Sequence, residues 1–339
     1  MHRALNASNE LCAFPPDAAR VQRLDARMRT RLGESLREVA QQARGHIEIP
    51  EQALAGFLAR VESHPVPPLV FGAYYELVLA LESGALVEAS ALLGEIVSSP
   101  PALAELVVID LEADSEQGPC LYRRLFDSDP SGRIDLNPPG PELSEPYRAK
   151  IDQALALIGD SDPELAAELR SLVREIVLAK GGADSDALQF GGVSSFMLWG
   201  AIALNVDFPL STVEMVEALA HESAHNLLFG LSIDEPLLSG DADARYPSPL
   251  RKDLRHLDGI YHATFVCARM HRALAQLLAV EAFHGNDLEE AQKAMGESAK
   301  HFAQGLKTVL SDAALTPMGR RVMDGAREYM DRAKVLTPI

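Results

Sequence analysis

Residues 211–230 read STVEMVEALAHESAHNLLFG, and this stretch predicts one amphipathic helix that is marked at both ends. Ser211 and Glu214 have the spacing of a capping box, in which each side chain satisfies a backbone N–H of the first turn. Gly230 stands where a glycine often ends a helix. We therefore predict a helix from about Thr212 to Phe229, and the buried stripe is predicted to consist of Val213, Val216, Ala220, Ala224 and Leu227.

Three residues of this helix form an H-E-x-x-H motif, namely His221, Glu222 and His225. Residues four apart lie one above the other on the same helix face, so the two imidazoles can share one divalent metal ion. Two ordinary helix histidines are the alternative. Because the motif serves zinc peptidases and at least one family of iron oxygenases, the residues around it must decide between hydrolysis and oxidation.

The residues that follow the motif exclude one class of zinc peptidase and argue against another. A metzincin would carry Gly at position 228 and His at position 231, but both positions are Leu. A gluzincin takes a Glu from a following helix. The nearest acidic pair, Asp234 and Glu235, is followed at once by Pro236 and is predicted to lie in a loop, so it fits that role poorly.

We expect the third metal ligand to be His262. The pattern indicates that His262 opens a helix and shares its face with apolar residues, so the ring is predicted to point inward. Those apolar residues are Val266, Met270 and Leu274. A core histidine that binds no metal is the alternative, and Asp234 and Asp253 stay open as carboxylate substitutes. His256 lies in a charged turn. It is predicted to lie at the surface or to contact the metal ligands without binding the metal itself.

A cluster of cationic and hydroxyl side chains precedes His262. It contains Arg251 and Arg255, close to Tyr246 and Ser248. Arginine offers a planar fork that matches a carboxylate, and hydroxyl groups add orientation, as binding of a dicarboxylate such as 2-oxoglutarate beside a metal would require. A solvated basic turn that pairs with nearby aspartates is the alternative. A peptidase has no need of such a carboxylate clamp.

Charge and composition exclude several functions. The formal net charge of −18 argues against a nucleic-acid partner, because phosphate backbones are met by clustered Lys and Arg. The acidity is explained by solubility or by attraction for a cationic peptide. No stretch is long and apolar enough for a membrane span or a signal peptide, so we expect a cytoplasmic protein without a membrane partner. Three widely spaced cysteines predict reduced structural thiols.

Periodicity along the 339 residues predicts a mainly α fold with a few short strands before the metal-binding helix. We divide the chain into an N-terminal helical region (1–103), a mixed connecting region (104–141) and a metal-binding catalytic region with C-terminal helices (142–339); one compact domain is also compatible. Short strands are predicted at 106–111 and 133–136, one or two buried strands within 187–207, helices at 147–159 and 163–180, an irregular stretch at 231–256, and three long helices thereafter.

The order of motifs resembles the 2-oxoglutarate-dependent H-E-x-x-H peptide β-hydroxylases, which tailor ribosomally made, post-translationally modified peptides. The motifs are G-x-S-S before a buried strand, H-E-x-x-H, S-P-x-R-x-D-x-R and G-x-x-H-A, and they cover roughly residues 186–275. One departure is His256, which stands where that pattern leads us to expect Pro. The N-terminal helices resemble the family only in length and helix content, and either support the core or recognise a precursor peptide.

This resemblance implies an Fe(II) centre that uses 2-oxoglutarate and dioxygen to hydroxylate the β-carbon of a His, Asp or Asn side chain in a peptide. It also implies a helical metalloprotein and not a double-stranded β-helix. His221, His225 and His262 would bind the metal, Arg251 or Arg255 would anchor 2-oxoglutarate, and Glu222 would orient a ligand or a substrate amide. A zinc metallopeptidase with Glu222 as general base is the alternative, and a peptide-binding protein with a structural or lost metal site is the third.

Overall fold

The computed structural model describes residues 11–113, 120–127, 134–182, 190–208, 210–239, 244–247, 254–312 and 315–336. Most of these residues are helical and a minority form short strands, which confirms the predicted mainly α fold. Across the described ranges, the strands form no double-stranded β-helix. None of the helices in these ranges combines the length and the apolar character needed to cross a bilayer.

The chain divides into two compact units, which we call the sheet unit and the motif unit. The sheet unit comprises Gln22–Glu145 and Arg170–Phe208. The motif unit comprises Met1–Val21, Pro146–Leu169 and Pro209–Ile339. The sequence-based division into three regions stays a prediction.

The sheet unit begins with a series of helices, as the periodicity of its first residues predicts. They are α1 (Ala18–Ala43, with Gln22 onward in this unit), α2 (Glu51–Ser63), α3 (Pro68–Ser83) and α4 (Leu86–Ser98). Pro68 suits the first position of α3, because its missing N–H would have no partner within the helix there. Gly84 ends α3 with a φ of 76°, a left-handed conformation that favours glycine.

A small, mostly parallel sheet forms the core of this unit. Its strands are β1 (Val107–Asp110), β2 (Leu136–Asn137), β3 (Glu175–Gly181), β4 (Gly192–Ser194) and β5 (Ala201–Asn205). Strand β3 pairs in parallel with β1 and β5, whereas β2 pairs antiparallel with β3 and β4 antiparallel with β5. Helix α5 (Leu121–Phe126) packs its apolar residues on this sheet. Four of these five strands lie in or overlap the predicted strand segments.

The helix predicted over residues 163–180 was wrong in its second half. Helix α7 spans Pro163–Leu172, and the chain then continues as β3. Ile176 to Ala179 of β3 are completely buried. A continuous apolar run is typical of a central strand covered on both faces, and periodicity cannot separate such a short run from a buried helix.

A buried polar network ties α1 to the sheet. Asp25 of α1 accepts a hydrogen bond from the indole N–H of Trp199 at 3.1 Å, through Oδ1. The same oxygen lies 3.3 Å from the guanidinium of Arg174, and Oδ2 accepts from Nε of Arg29 at 2.9 Å. The carboxylate is therefore paired on both of its oxygens inside the sheet unit.

The motif unit contains the helices and the hairpin that surround the H-E-x-x-H motif. Its elements are α6 (Pro141–Ser161, from Pro146 onward), most of α7, α8 (Thr212–Leu231), β6 (Arg245–Pro247), β7 (Leu254–His256), α9 (Leu257–Ala279), α10 (Asn286–Asp312) and α11 (Pro317–Leu336). Helix α9 packs against α8, α10 and α11. The three predicted C-terminal helices are thus confirmed. The stretch predicted to be irregular carries an antiparallel pairing of β6 and β7.

Candidate functional site

Helix α8 begins where its sequence predicts. The hydroxyl of Ser211 accepts from the backbone N–H of Glu214 at 3.1 Å, and the Glu214 carboxylate accepts from the Ser211 N–H at 2.8 Å. This reciprocal pair is the predicted capping box. The predicted end was wrong by two residues, because α8 continues through Gly230 to Leu231 and the N–H of Ser232 closes the last turn on Leu228.

The buried stripe of α8 orients the motif. All five predicted apolar residues are at most 2% exposed, which confirms the stripe. His221 and His225 lie beside it and are only partly buried, with 26% of the His221 side chain exposed. The two imidazoles therefore lie at the border of the buried stripe, largely shielded from water but not enclosed.

Helix α9 brings a third histidine to this pair. His262 was predicted to open a helix, but α9 already begins at Leu257, so that prediction was wrong by about one and a half turns. Its placement beside the motif matches the prediction: Nδ1 of His262 lies 3.0 Å from Nδ1 of His225, and Nε2 of His225 lies 3.0 Å from Nε2 of His221. We call these three residues the histidine cluster.

The three rings form a hydrogen-bonded chain. His225 stands in the middle and presents a different ring nitrogen to each neighbour. A neutral imidazole can donate through one nitrogen and accept through the other, so both contacts can be satisfied. One imidazole binds a given metal ion through one nitrogen, and a ring must therefore turn before one ion can contact all three histidines.

Consistent with this orientation, the described part of the chain holds no group of three or more His, Cys, Asp or Glu side chains already arranged around a metal position. The three imidazoles are nevertheless neighbours, and none needs to move to another part of the unit. Rotation about a side-chain bond is the change that metal binding by all three would require.

Burial keeps the histidine cluster neutral. Burial, followed by the effect of nearby His262, lowers the pKa of His221 to about 4. Burial and the two neighbouring histidines lower the pKa of His225 well below its usual value. Burial also lowers the pKa of His262, against an opposing effect of Asp258. Neutral imidazole is the form that binds divalent metals, so the cluster carries the right donors at neutral pH.

Two further side chains of α8 flank the cluster. Glu222 is 4% exposed, and its Oε1 lies 4.0 Å from Nε2 of His221. The ring of Phe229 lies 5.5 Å from that of His262 and 6.4 Å from that of His225, between ring centroids. A carboxylate thus lies next to His221, and an aromatic ring lies next to His225 and His262.

Two residues that lie near the cluster were not assigned to the site predicted from the sequence. Oδ1 of Asp258 lies 3.9 Å from Nε2 of His262, and Sδ of Met270 lies 3.3 Å from Nδ1 of His221. Asp258 precedes His262 by four residues, so helical spacing could have identified it once the helix start was placed correctly. Met270 was predicted only as an apolar neighbour of His262, since no spacing rule links it to a residue on another helix.

The predicted carboxylate clamp lies partly outside the described residues, because Arg251, Ser248 and Asp253 are outside them. The other two members, Tyr246 and Arg255, are directly opposite each other in the β6–β7 pairing, and both are half-buried. A Cβ built on Gly259 would lie 3.7 Å from Nε of Arg255, so this side chain folds over the first turn of α9.

That contact places Nε of Arg255 beside Gly259 of α9. Gly259 and His262 are three residues apart and thus neighbours on one face of α9. Asp234, the other carboxylate considered as a ligand, follows α8 in an irregular segment, as predicted from Pro236. Cys12, Cys120 and Cys267 take part in no disulfide, as expected for reduced thiols.

The chain matches no protein-family model and no curated protein. The resemblance drawn from the motifs therefore stays a prediction.

Proposed function

We propose that this protein is an Fe(II)- and 2-oxoglutarate-dependent oxygenase that hydroxylates the β-carbon of a His, Asp or Asn side chain in a ribosomally made peptide. The observation that carries the proposal is the position of His262, whose ring nitrogen lies 3.0 Å from His225 of the H-E-x-x-H motif. The sequence pattern independently predicts this residue as the third ligand. The resemblance to the peptide β-hydroxylases supplies the substrate class, and such a peptide would be met in the cytoplasm.

The histidine cluster fits a divalent ion in its chemistry. It offers three neutral imidazoles, which suit iron as well as zinc. His221, His225 and His262 would hold the ion once one ring has turned. Bound Fe(II) would supply activation of dioxygen coupled to decarboxylation of 2-oxoglutarate.

Arg255 and Tyr246 would hold the distal carboxylate of 2-oxoglutarate. A guanidinium can donate two parallel hydrogen bonds to a carboxylate, and a phenol hydroxyl can add a third. The β6–β7 pairing sets the two residues opposite each other, immediately before the helix that carries His262. A dicarboxylate bound there would lie at the first turn of α9, which precedes His262 in the same helix.

Glu222 and Phe229 would shape the substrate side of the cluster. Glu222 is buried beside His221, where its carboxylate would orient that ligand or a substrate amide. Phe229 would exclude water from the side of His262.

The position of Glu222 also supports a second candidate, a zinc metallopeptidase. In such enzymes the glutamate of the motif acts as general base toward a water on the metal. Its Oε1 lies 4.0 Å from Nε2 of His221, close enough to serve a ligand at that nitrogen. The carboxylate clamp would then have no function, so a peptidase accounts for fewer features of the site than an oxygenase does.

Anaerobic titration distinguishes the two candidates. Fe(II) is added to the metal-free protein, followed by 2-oxoglutarate, and the weak visible metal-to-ligand charge-transfer band of the chelated keto acid is recorded. We expect the band in wild type, its loss in His262→Ala and a weaker affinity for 2-oxoglutarate in Arg255→Ala. Matched controls are His284→Ala and Arg245→Ala, which alter exposed residues of the same types.

A wild-type protein that binds Fe(II) but gives no band with 2-oxoglutarate would contradict the oxygenase proposal. If the protein also binds zinc, and Glu222→Gln keeps the zinc while abolishing cleavage of a peptide library, the peptidase is the correct function.

A further inference from the structure

The histidine chain ends on a methionine. Sδ of Met270 lies 3.3 Å from Nδ1 of His221, on the side of the ring opposite to His225. Met270 is half-buried on α9, two turns after His262. Both helices belong to the motif unit, and the contact joins them across the cluster.

A thioether sulfur can accept a hydrogen bond but cannot donate one. The contact is therefore favourable only when Nδ1 of His221 carries the proton. A neutral imidazole has a single N–H, so Nε2 of His221 then carries the lone pair and must accept from Nε2–H of His225. By the same rule, Nδ1 of His225 accepts from Nδ1–H of His262, and one tautomer of each ring satisfies these three contacts. Nε2 of His262 then carries a lone pair and makes no hydrogen bond to Oδ1 of Asp258, which lies 3.9 Å away, beyond hydrogen-bond distance.

We infer that Met270 is a positioning residue of the histidine cluster: its thioether fixes the Nδ1–H tautomer of His221 and thereby directs the Nε2 lone pair of that ring toward His225, where a metal ion would bind. The inference rests on the proposed function only in treating His221 as a metal ligand. The tautomer itself is a property of the metal-free protein.

The chemical consequence is a modest gain in metal affinity. Metal-binding histidines usually donate their second N–H to a carboxylate, a carbonyl or a water, and loss of that partner costs about 10–100-fold in affinity. A thioether is a weaker acceptor than these oxygens. We therefore expect loss of the Met270 sulfur to lower the affinity by about tenfold, at the low end of that range.

The competing interpretation is that Met270 only fills space beside His221. Methionine is commonly used for this purpose in protein cores, because its flexible chain fits irregular gaps. Leucine has a similar volume but no acceptor, whereas glutamine has a similar length and a stronger acceptor. Met270→Leu and Met270→Gln therefore separate packing from hydrogen bonding.

The first measurement is the tautomer of each histidine in metal-free protein, read from two-bond correlations of ring protons to ring nitrogens by NMR of the histidine-labelled chain. We expect His221 as the Nδ1–H form in wild type and in Met270→Gln, and a shift toward Nε2–H in Met270→Leu. The control is Met295→Leu, which alters a half-buried methionine of α10. An Nε2–H form of His221 in wild type, or the same tautomer in Met270→Leu, would overturn the inference.

The second measurement is the Co(II) affinity of the same four proteins, by competition with a chelating dye. We expect Met270→Leu to bind about tenfold more weakly, with Met270→Gln restored to at least the wild-type affinity and Met295→Leu unchanged. Equal affinities of Met270→Leu and wild type would overturn the positioning role. If wild type binds no Co(II), the proposed function fails, and the tautomers alone then decide whether Met270 acts on His221.

Discussion

Glu168 of α7 is completely buried between two arginines, and its replacement by Gln tests how much this charge stabilises the motif unit. The carboxylate accepts from the guanidinium groups of Arg20 and Arg269, and from the backbone N–H of Asp17 at 2.8 Å. Glu168→Gln keeps the shape of the side chain but leaves two buried cations facing one neutral amide. Removal of one partner of a buried ion pair costs about 3–5 kcal/mol, and we expect the free energy of unfolding to fall by that amount.

The loss should be visible in both chemical and thermal unfolding followed by circular dichroism. For a domain of roughly 150–250 residues, each kcal/mol lowers the melting temperature by about 2–4 °C, so a decrease of roughly 6–20 °C is expected. Glu164→Gln is the matched control, because Glu164 lies one turn earlier in α7 and is exposed; its effect should stay within about 0.5 kcal/mol. If Glu168→Gln lowers the free energy of unfolding by less than about 1 kcal/mol, the claim that both arginines require a negative charge at this position is refuted.

Two other buried or half-buried carboxylates give further predictions. Burial, followed by the like charges of three neighbouring glutamates, raises the pKa of Glu217 from 4.5 to about 7. Because the pKa in the folded state is the higher one, the free energy of unfolding should be full below pH 4.5 and fall as the pH rises toward 7. Glu217→Gln should therefore stabilise the protein by about 1–3 kcal/mol at pH 8 and by much less at pH 4.5. Equal effects of the substitution at both pH values would contradict this prediction. Asp25→Asn weakens the hydrogen-bond network at Trp199, the one tryptophan of the sequence. It should lower the free energy of unfolding by about 3 kcal/mol, measured by urea unfolding followed by tryptophan fluorescence. A decrease below about 1 kcal/mol would show that the carboxylate is not required there.

Local signals predicted the start of the motif helix better than its end. The capping box of Ser211 and Glu214 involves residues three apart, so the sequence contains the whole interaction. Gly230 permits a helix end but does not impose one, because a glycine can also stay within the helix. The actual end, at Leu231, depends on how the following segment packs, and no local pattern encodes that.

Tertiary pairing explains the larger error at β3. The run from Ile176 to Ala179 is apolar on every side, so it carries neither a helical nor an alternating period. Its conformation is decided by β1 and β5, which lie on either side of it in the sheet. These partners come from distant parts of the sequence, and their pairing overrides the helical propensity that continues from α7.

The candidate site shows the same division between local and tertiary information. The four-residue spacing predicted that His221 and His225 share one helix face, and the apolar periodicity predicted that the ring of His262 points inward. The ring orientations and the contact with Met270 depend on the packing of α9 against α8, which no spacing within one helix reveals. The identity of the third histidine could thus be predicted, whereas the nitrogen that it presents could not.

The number of imidazoles bound to Fe(II) is the most direct test of the proposed centre. X-ray absorption spectra of the anaerobic, Fe(II)-loaded protein report this number through scattering from the atoms of the imidazole rings. We expect three imidazoles in wild type and two in His262→Gln, with His284→Gln unchanged. Two or fewer imidazoles in wild type, or a spectrum that His262→Gln leaves unaltered, would contradict a metal centre built from His221, His225 and His262.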